Sequence, residues 1–305
     1  MKILLLGKGG QVGWELQRSL ASLGQLVALD WDSTDFCGDF SQPEALAEAV
    51  RRIAPQVIVN AAAHTAVDRA ESEPDRAHLI NATAPGVLAR EAQALGAWLV
   101  HYSTDYVFDG SGSRPWREGD EPAPLNVYGR TKLDGERAIA SGCDRHLIFR
   151  TSWVYAARGS NFAKTMLRLA GEREQLQVID DQIGAPTGAD LLADVTALAL
   201  RQVMGRHDRP GALDQTHWAG LYHLAAAGQT SWHGYACHVI DQARRCKPEG
   251  NWRVRDIQPV ASSAFPAAAR RPHNSRLDTA KLQEAFGLSL PPWQHGVDRM
   301  LAEIL

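Results

Sequence analysis

The stretch Lys2-Ile3-Leu4-Leu5-Leu6-Gly7-Lys8-Gly9-Gly10-Gln11-Val12-Gly13 decides the fold class. A short apolar run bounded by glycine is the pattern of a strand buried on both faces of a parallel sheet. Val12, Leu16 and Leu20 follow at helical spacing, so the segment reads as strand, glycine-rich turn, helix. Gly7 permits the tight turn, Gly10 the close approach of a pyrophosphate, and Gly13 close packing of helix on sheet. The helix N-terminus adds N–H groups and a positive dipole end for the phosphates. The spacing is G-x-x-G-x-x-G rather than the commoner G-x-G-x-x-G. Glycine turns without ligands are common, but this context favours a dinucleotide site in a Rossmann-type, doubly wound parallel α/β sheet.

Outward from that turn, Gln25 to Leu29 reads as the next strand and ends in Asp30. A carboxylate there can accept hydrogen bonds from an adenosine ribose, and it argues weakly for NADH because it would repel a 2′-phosphate. The alternative is a polar strand-end residue. Asp39-Phe40 precedes another helix and is placed to border an adenine. Gln56 to Asn60 forms a strand leading into Ala61-Ala62-Ala63-His64-Thr65, where small side chains let a cofactor lie against the backbone. His64 has no second histidine at metal spacing and reads as a wall of that site or as structural. Helical pattern runs from about Pro74 to Leu95 and carries Asn81; Trp98 to Tyr102 is the following strand.

That strand ends in Ser103-Thr104-Asp105, at the sheet edge where ligands of doubly wound folds sit. Thr104 can hydrogen-bond a carbonyl being reduced and Asp105 a sugar hydroxyl, although both types also satisfy backbone at strand ends. Beyond the Gly110 to Pro124 loop, Tyr128 and Lys132 stand four residues apart, one helical turn on a shared face. A free phenol titrates near pH ~10, and a neighbouring ammonium is expected to lower that value, making the pair a proton-transfer device. Alone the spacing is a common coincidence on solvated helices.

The 305-residue chain is long enough for one large domain or two ordinary ones, and 45% hydrophobic with 22% charged residues is a globular composition. A net charge of −3 gives no reason to expect nucleic acid or membrane phosphate as a partner. No apolar run reaches the length of a membrane span, and Met1-Lys2 runs straight into a strand, so no signal peptide is expected. Cys37, Cys143, Cys237 and Cys246 form no Cys-x-x-Cys pair and read as reduced thiols of a cytoplasmic protein.

Gly7-x-x-Gly10-x-x-Gly13, Ser103-Thr104-Asp105 and Tyr128-x-x-x-Lys132 together resemble the extended short-chain dehydrogenase/reductase superfamily. Within it, the chain is similar to the dTDP-4-dehydrorhamnose reductase family. That resemblance rests further on Asn60 to Asp68, His101 to Phe108, Pro124 to Lys132, Arg150 to Tyr155, Asp181 to Thr187 and Arg270 to Ser275, and it runs nearly end to end. It implies Tyr128, Lys132 and Thr104 as the catalytic set. Cofactor contacts would fall on Gly10, Gln11, Val12, Asp30, Asp39, Phe40, Ala63, His64, Thr65, Tyr102, Tyr128 and Lys132, with NADPH or NADH as the hydride source. Contacts to the dTDP-linked 4-keto-6-deoxy sugar would include Thr104, Asp105, Tyr128 and Trp153. The implied reaction is reduction of the C4 keto group to give dTDP-L-rhamnose for cell-surface polysaccharide such as O antigen. Some family members are homodimers with Mg²⁺ at the interface; Glu15, Asp190 and Glu303 are the candidate ligands, with Asp190 where a glutamate is usual. A nucleotide-sugar epimerase or dehydratase is the nearest alternative, and a non-catalytic regulatory subunit a more distant one. Tyr106 stands where dehydratases carry a glutamate, and an intact Thr104, Tyr128 and Lys132 argues against a regulatory subunit.

The expected division is a dinucleotide domain over residues 1–152 and a smaller, interleaved substrate lobe over 153–305, with some segments returning to the first. Trp153 is a core residue or a platform for a sugar or base. Helices are expected from Asn161 to Gly171, Asp190 to about Met204 and Ser231 to about Arg244, and a strand from Leu221 to Leu224. The polar stretch between Gly205 and Gly220, with His207 and His217, reads as an exposed insertion without a ligand role. Arg270-Arg271 either approaches the sugar-nucleotide pyrophosphate or braces the two lobes.

Overall fold

Five leucine- and valine-rich strands of the first half and one strand of the second half assemble into a single parallel sheet. In the computed structural model, which describes residues 1–205 and 215–305, these are β1 (Lys2–Leu6), β2 (Gln25–Leu29), β3 (Val57–Asn60), β4 (Trp98–Thr104), β5 (His146–Thr151) and the strand Gly220–His223. His207 and most of the polar stretch around it lie outside the described residues. Across the sheet the order is Gly220–His223, β5, β4, β3, β1, β2, with every neighbouring pair parallel. The chain goes from β1 to one side and returns to the other for β3. The order therefore reverses between β1 and β3, and a crevice opens at their carboxyl ends.

Alternating residues of each strand feed two separate cores, which is why β1 is a continuous apolar run. Ile3 and Leu5 pack with Leu16 and Leu20 of the helix α1 (Gln11–Ala21) and with Leu192 and Leu200 of the helix Ala189–Met204. Leu4 and Leu6 face the other way, onto Leu46, Val50, Leu88 and Ile139 of the helices Pro43–Ile53, Ala84–Leu95 and Val127–Gly142. A third core lies wholly in the second half. It joins the helices Phe162–Glu172, Trp232–Cys246 and Trp293–Ile304 through Met166, Tyr235, Val239 and Val297. Residues 175–179 and 256–260 form a separate parallel pair beside it.

The helical pattern expected from Pro74 to Leu95 is present but contains a π-helical turn over Leu79–Thr83. That wider turn lodges Asn81 in the interior, where it is 1% exposed. Such turns occur frequently at functional sites.

Two glycines enforce the approach of α1 to the sheet. Gly7 has φ +83°, and a Cβ there would lie 2.7 Å from the Ala62 nitrogen. At Gly13 a Cβ would sit 1.9 Å from the Gly7 carbonyl oxygen. Neither obstacle is a flexible side chain. Gly13→Ala is therefore expected to destabilise the fold by at least ~1–3 kcal/mol, the usual cost of overpacking, read as a lowered midpoint in urea unfolding. An unchanged midpoint would remove the close-packing role of this glycine.

Candidate active site

At the β1–β3 crevice the glycine turn presents an open face. A Cβ at Gly10 would meet only the Gly7 oxygen, at 3.5 Å, and Gly10 has extended backbone angles open to any residue. No contact among the described residues requires glycine there, so the space above it suits a phosphate. The N-terminus of α1, with no acidic residue in its first turn, supplies the N–H groups of Gln11, Val12 and Gly13. Asp30 stands beside this turn, with one carboxylate oxygen accepting the Gly9 N–H at 2.7 Å and the other the Trp31 N–H at 2.9 Å. It thus braces the glycine turn. Asp39 is committed similarly, accepting from the Ser41 N–H and hydroxyl and from Gln42 Nε2. The Phe40 ring is in the core, 4% exposed, rather than lying open along an adenine. Ala63 and His64 are half-buried and Thr65 exposed in the loop after β3. Asn81 clamps that loop, its Oδ1 accepting the His64 N–H at 2.8 Å and its Nδ2 donating to the His64 carbonyl and to Thr131 Oγ1 at 3.1 Å each.

The helix Val127–Gly142 starts on Asn126, whose side chain accepts the Gly129 N–H at 2.8 Å. It then passes so close to its neighbours that a Cβ at Gly129 or Gly135 would sit 2.1 Å from the carbonyl of Tyr106 or Asn81. This places Tyr128 at the mouth of the crevice and Lys132 inside it. Tyr128 is half-buried, Tyr106 packs edge-on against it at 5.7 Å, and the Thr104 hydroxyl lies beside the phenol. Burial pushes the phenol up to about 12; Thr104 opposes the shift and the Asp105 carboxylate adds to it. The expected depression of the phenol by Lys132 is thus not the effect that dominates. Desolvation does, and Lys132 turns elsewhere, donating to the Tyr102 carbonyl at 2.6 Å and lying 3.1 Å from His101 Nε2. Burial lowers the Lys132 ammonium to about 8, with Glu136 pulling the other way. Asp105, 2% exposed, is raised to about 7 by burial, against hydrogen bonds from Ser275 and Thr104. Among the described residues its Oδ2 has no hydrogen-bond partner, so a hydroxyl arriving there would satisfy it.

A model of the RmlD substrate binding domain matches residues 1–305. Similarity to dTDP-4-dehydrorhamnose reductase of Shigella flexneri is 60% identity over 100% of this chain and 98% of that protein. The chain belongs to the dTDP-4-dehydrorhamnose reductase family. A more distant relative of the same name, from Burkholderia thailandensis, is 48% identical over 100% of this chain and 99% of its own. Among solved structures, the Clostridium acetobutylicum reductase superposes with a TM-score of 0.87 at 32% identity, covering 100% of this chain and 99% of that one. The Bacillus anthracis reductase, solved in complex with NADP, gives 0.84 at 33% identity, covering 99% of each chain.

Several groups at the centre of this reductase-family site were not singled out in the sequence. Glu136, one turn beyond Lys132, accepts from Arg150 Nε at 2.9 Å and Nη2 at 2.6 Å, and also from Ser103 Oγ. Both members of the pair are buried. The spacing Tyr128, Lys132, Glu136 was visible as a titratable stripe on an otherwise buried helix face, and that was the available signal. His101 and Asn60 meet across β4 and β3, a contact that depends on strand register.

Tyr102 differs from expectation, because its side chain is in the core and its hydroxyl pairs with Thr196 at 2.6 Å, leaving only its backbone toward the crevice. Trp153 adopts φ +50°, rare for a bulky residue, and its ring stacks on Trp232 at 3.6 Å. Arg271 pairs with Asp68 at 2.6 Å, which is the bracing role rather than a free phosphate contact. Glu15, Asp190 and Glu303 do line one surface cleft of about 350 Å³. They do not make a metal site within one chain: Arg299 holds Asp190 at 3.1 Å, and among the described residues no group of three His, Cys, Asp or Glu side chains could hold an ion.

Two substitutions separate ligand space from structure. Gly10→Ala is expected to leave the unfolding midpoint within error while raising the Kd for NADPH at least ~10-fold by crowding the phosphates. Glu136→Ala is expected to cost ~3–5 kcal/mol in urea unfolding, since it strands a buried guanidinium. A loss under ~1 kcal/mol would mean that Arg150 finds another partner.

Proposed function

We propose that this chain reduces the C4 keto group of dTDP-4-dehydro-6-deoxy-L-mannose (dTDP-6-deoxy-L-lyxo-4-hexulose) with NADPH or NADH, giving dTDP-L-rhamnose. The observation that carries this reading is the 60% identity, over the whole chain, to a dTDP-4-dehydrorhamnose reductase. The NADP complex of the Bacillus anthracis relative supports NADP(H) here, and the glycine turn, the N-terminus of α1 and the loop after β3 are the residues that would hold it. When bound, the reduced nicotinamide supplies hydride to the carbonyl carbon.

The chain's own residues manage the proton. Tyr128, its phenol raised to about 12, is protonated at neutral pH, the state a donor to a carbonyl oxygen must start from. As the carbonyl oxygen gains negative charge it becomes a stronger base than the phenolate, so transfer is downhill. Thr104 polarises the same oxygen, and Lys132 orients the nicotinamide ribose and balances the phenolate as it forms. Asp105 takes a sugar hydroxyl and Trp153 packs on the substrate. In this reading residues 1–152 bind the dinucleotide and 153–305 mainly the sugar nucleotide, in a cytoplasmic enzyme that forms homodimers. The resemblance also supports use of its product in rhamnose-containing cell-surface polysaccharide.

The UDP-glucose 4-epimerase of Thermus thermophilus superposes with a TM-score of 0.76, but at 17% identity this is a likeness of fold. An epimerase regenerates its cofactor, so stoichiometric NAD(P)H oxidation with a dTDP-linked 4-keto sugar, and little with a UDP-linked analogue, is the expected result. Tyr128→Phe is expected to lower kcat by ~10²–10⁴-fold with NADPH affinity within a few-fold of the parent. Full turnover by that variant would remove Tyr128 from its role.

A further inference from the structure

We propose that His101, locked by Asn60 in its Nε2–H tautomer, is a positioning residue that disfavours the ammonium form of Lys132. A backbone N–H can only donate. The Ala62 N–H donates, so the Asn60 atom 3.0 Å from it is the amide oxygen. The Asn60 NH₂ then faces His101 Nδ1 at 2.9 Å, which must accept. A neutral imidazole accepting at Nδ1 carries its proton on Nε2, and that N–H points at Lys132 Nζ, 3.1 Å away. An amine receives this hydrogen bond through its lone pair; an ammonium has none. One amine N–H is used by the Tyr102 carbonyl at 2.6 Å, which leaves one more for a ligand.

His101 is 0% exposed, and burial together with the adjacent Lys132 holds its own imidazolium far below the usual range, so the ring stays neutral. Among the described residues, Lys132 has Tyr128 and Glu136 one turn away on its own helix, and His101 and the Tyr102 carbonyl against it from β4. Glu136 favours the ammonium, but its carboxylate is already occupied by Arg150 and Ser103. Burial of Lys132 acts in the same direction, lowering its ammonium to about 8, so that amine and ammonium both lie within reach near neutral pH. Lys132 is consequently poised to change protonation as acceptor oxygens arrive, rather than being a fixed positive charge.

The inference rests on reading Lys132 as part of the proton-handling site, but its test is spectroscopic and independent of turnover. In protein carrying ¹⁵N-labelled histidine rings, with His101 assigned by its loss in His101→Gln, a pyridine-type Nδ1 and a protonated Nε2 are expected at neutral pH. An Nδ1–H tautomer or an imidazolium overturns the proposal. Asn60→Asp supplies an acceptor where the amide donated, so it is expected to move the proton to Nδ1 and turn the Nε2 lone pair toward Lys132. The Lys132 titration, followed by ¹³C labelling at Cε, should then rise by ~1 unit or more. An unmoved titration in a variant whose tautomer has switched would equally overturn it. Should Asn60→Asp not fold, the tautomer of the parent protein still decides.

Discussion

A carboxylate and a guanidinium removed from water together are tolerable only if their geometry is good and most of their hydrogen-bonding groups find partners. Glu136 and Arg150 meet that condition through two direct hydrogen bonds, the Ser103 hydroxyl, and the Phe108 ring lying 4.9 Å from the guanidinium carbon. The pair fixes the helix Val127–Gly142 against β4 and β5 in one register. Going back one turn at a time from Glu136, the same face presents Lys132 inside the protein and Tyr128 at the mouth. A single helical stripe therefore runs from a buried, hydrogen-bonded ion pair through a buried lysine to a half-buried tyrosine, so the face that docks the helix also presents its two titratable side chains toward the crevice. Gly129 and Gly135 allow that docking distance, since any side chain there would strike a backbone carbonyl.

Much of this was legible in the residues. The run Lys2 to Gly13 specifies its own local structure, because buried parallel strands, positive-φ turns and tight helix packing each restrict composition at short range. Thr104, Tyr128 and Lys132 were readable for the same reason, as residues placed by a strand end and a helix repeat. Spacing, however, reports which side chains share a face, and not how much water reaches them. That is why the phenol was expected to shift down and is instead pushed up by burial. Its place before a helix suggests Phe40 beside an adenine, and resemblance suggests Tyr102 as a cofactor contact, but both side chains are drawn into the core. His101 and Asn60 are adjacent only because β3 and β4 pair in one register, and no local pattern in either strand announces that.

The second half follows a different logic. Its third core is built from aromatic and aliphatic contacts among three helices, and Trp153 reaches it through a backbone conformation that costs energy for any residue except glycine. Asp68 and Arg271 link the two halves of the chain, so the second half is held relative to the crevice by side chains as well as by covalent connection.

The strand Gly220–His223 also bears on how the molecule comes into being. It covers the outer edge of β5, whose residues Leu147 to Arg150 are otherwise ready to pair with any extended segment. During synthesis the chain must run on from Thr151 to Gly220 before that edge is closed. In the interval a hydrophobic strand edge stands open, the arrangement that invites association between nascent chains. Truncation after the first half would make the exposure permanent, so that half is not expected to be recovered as a well-behaved fragment even though its glycine turn and helix are complete.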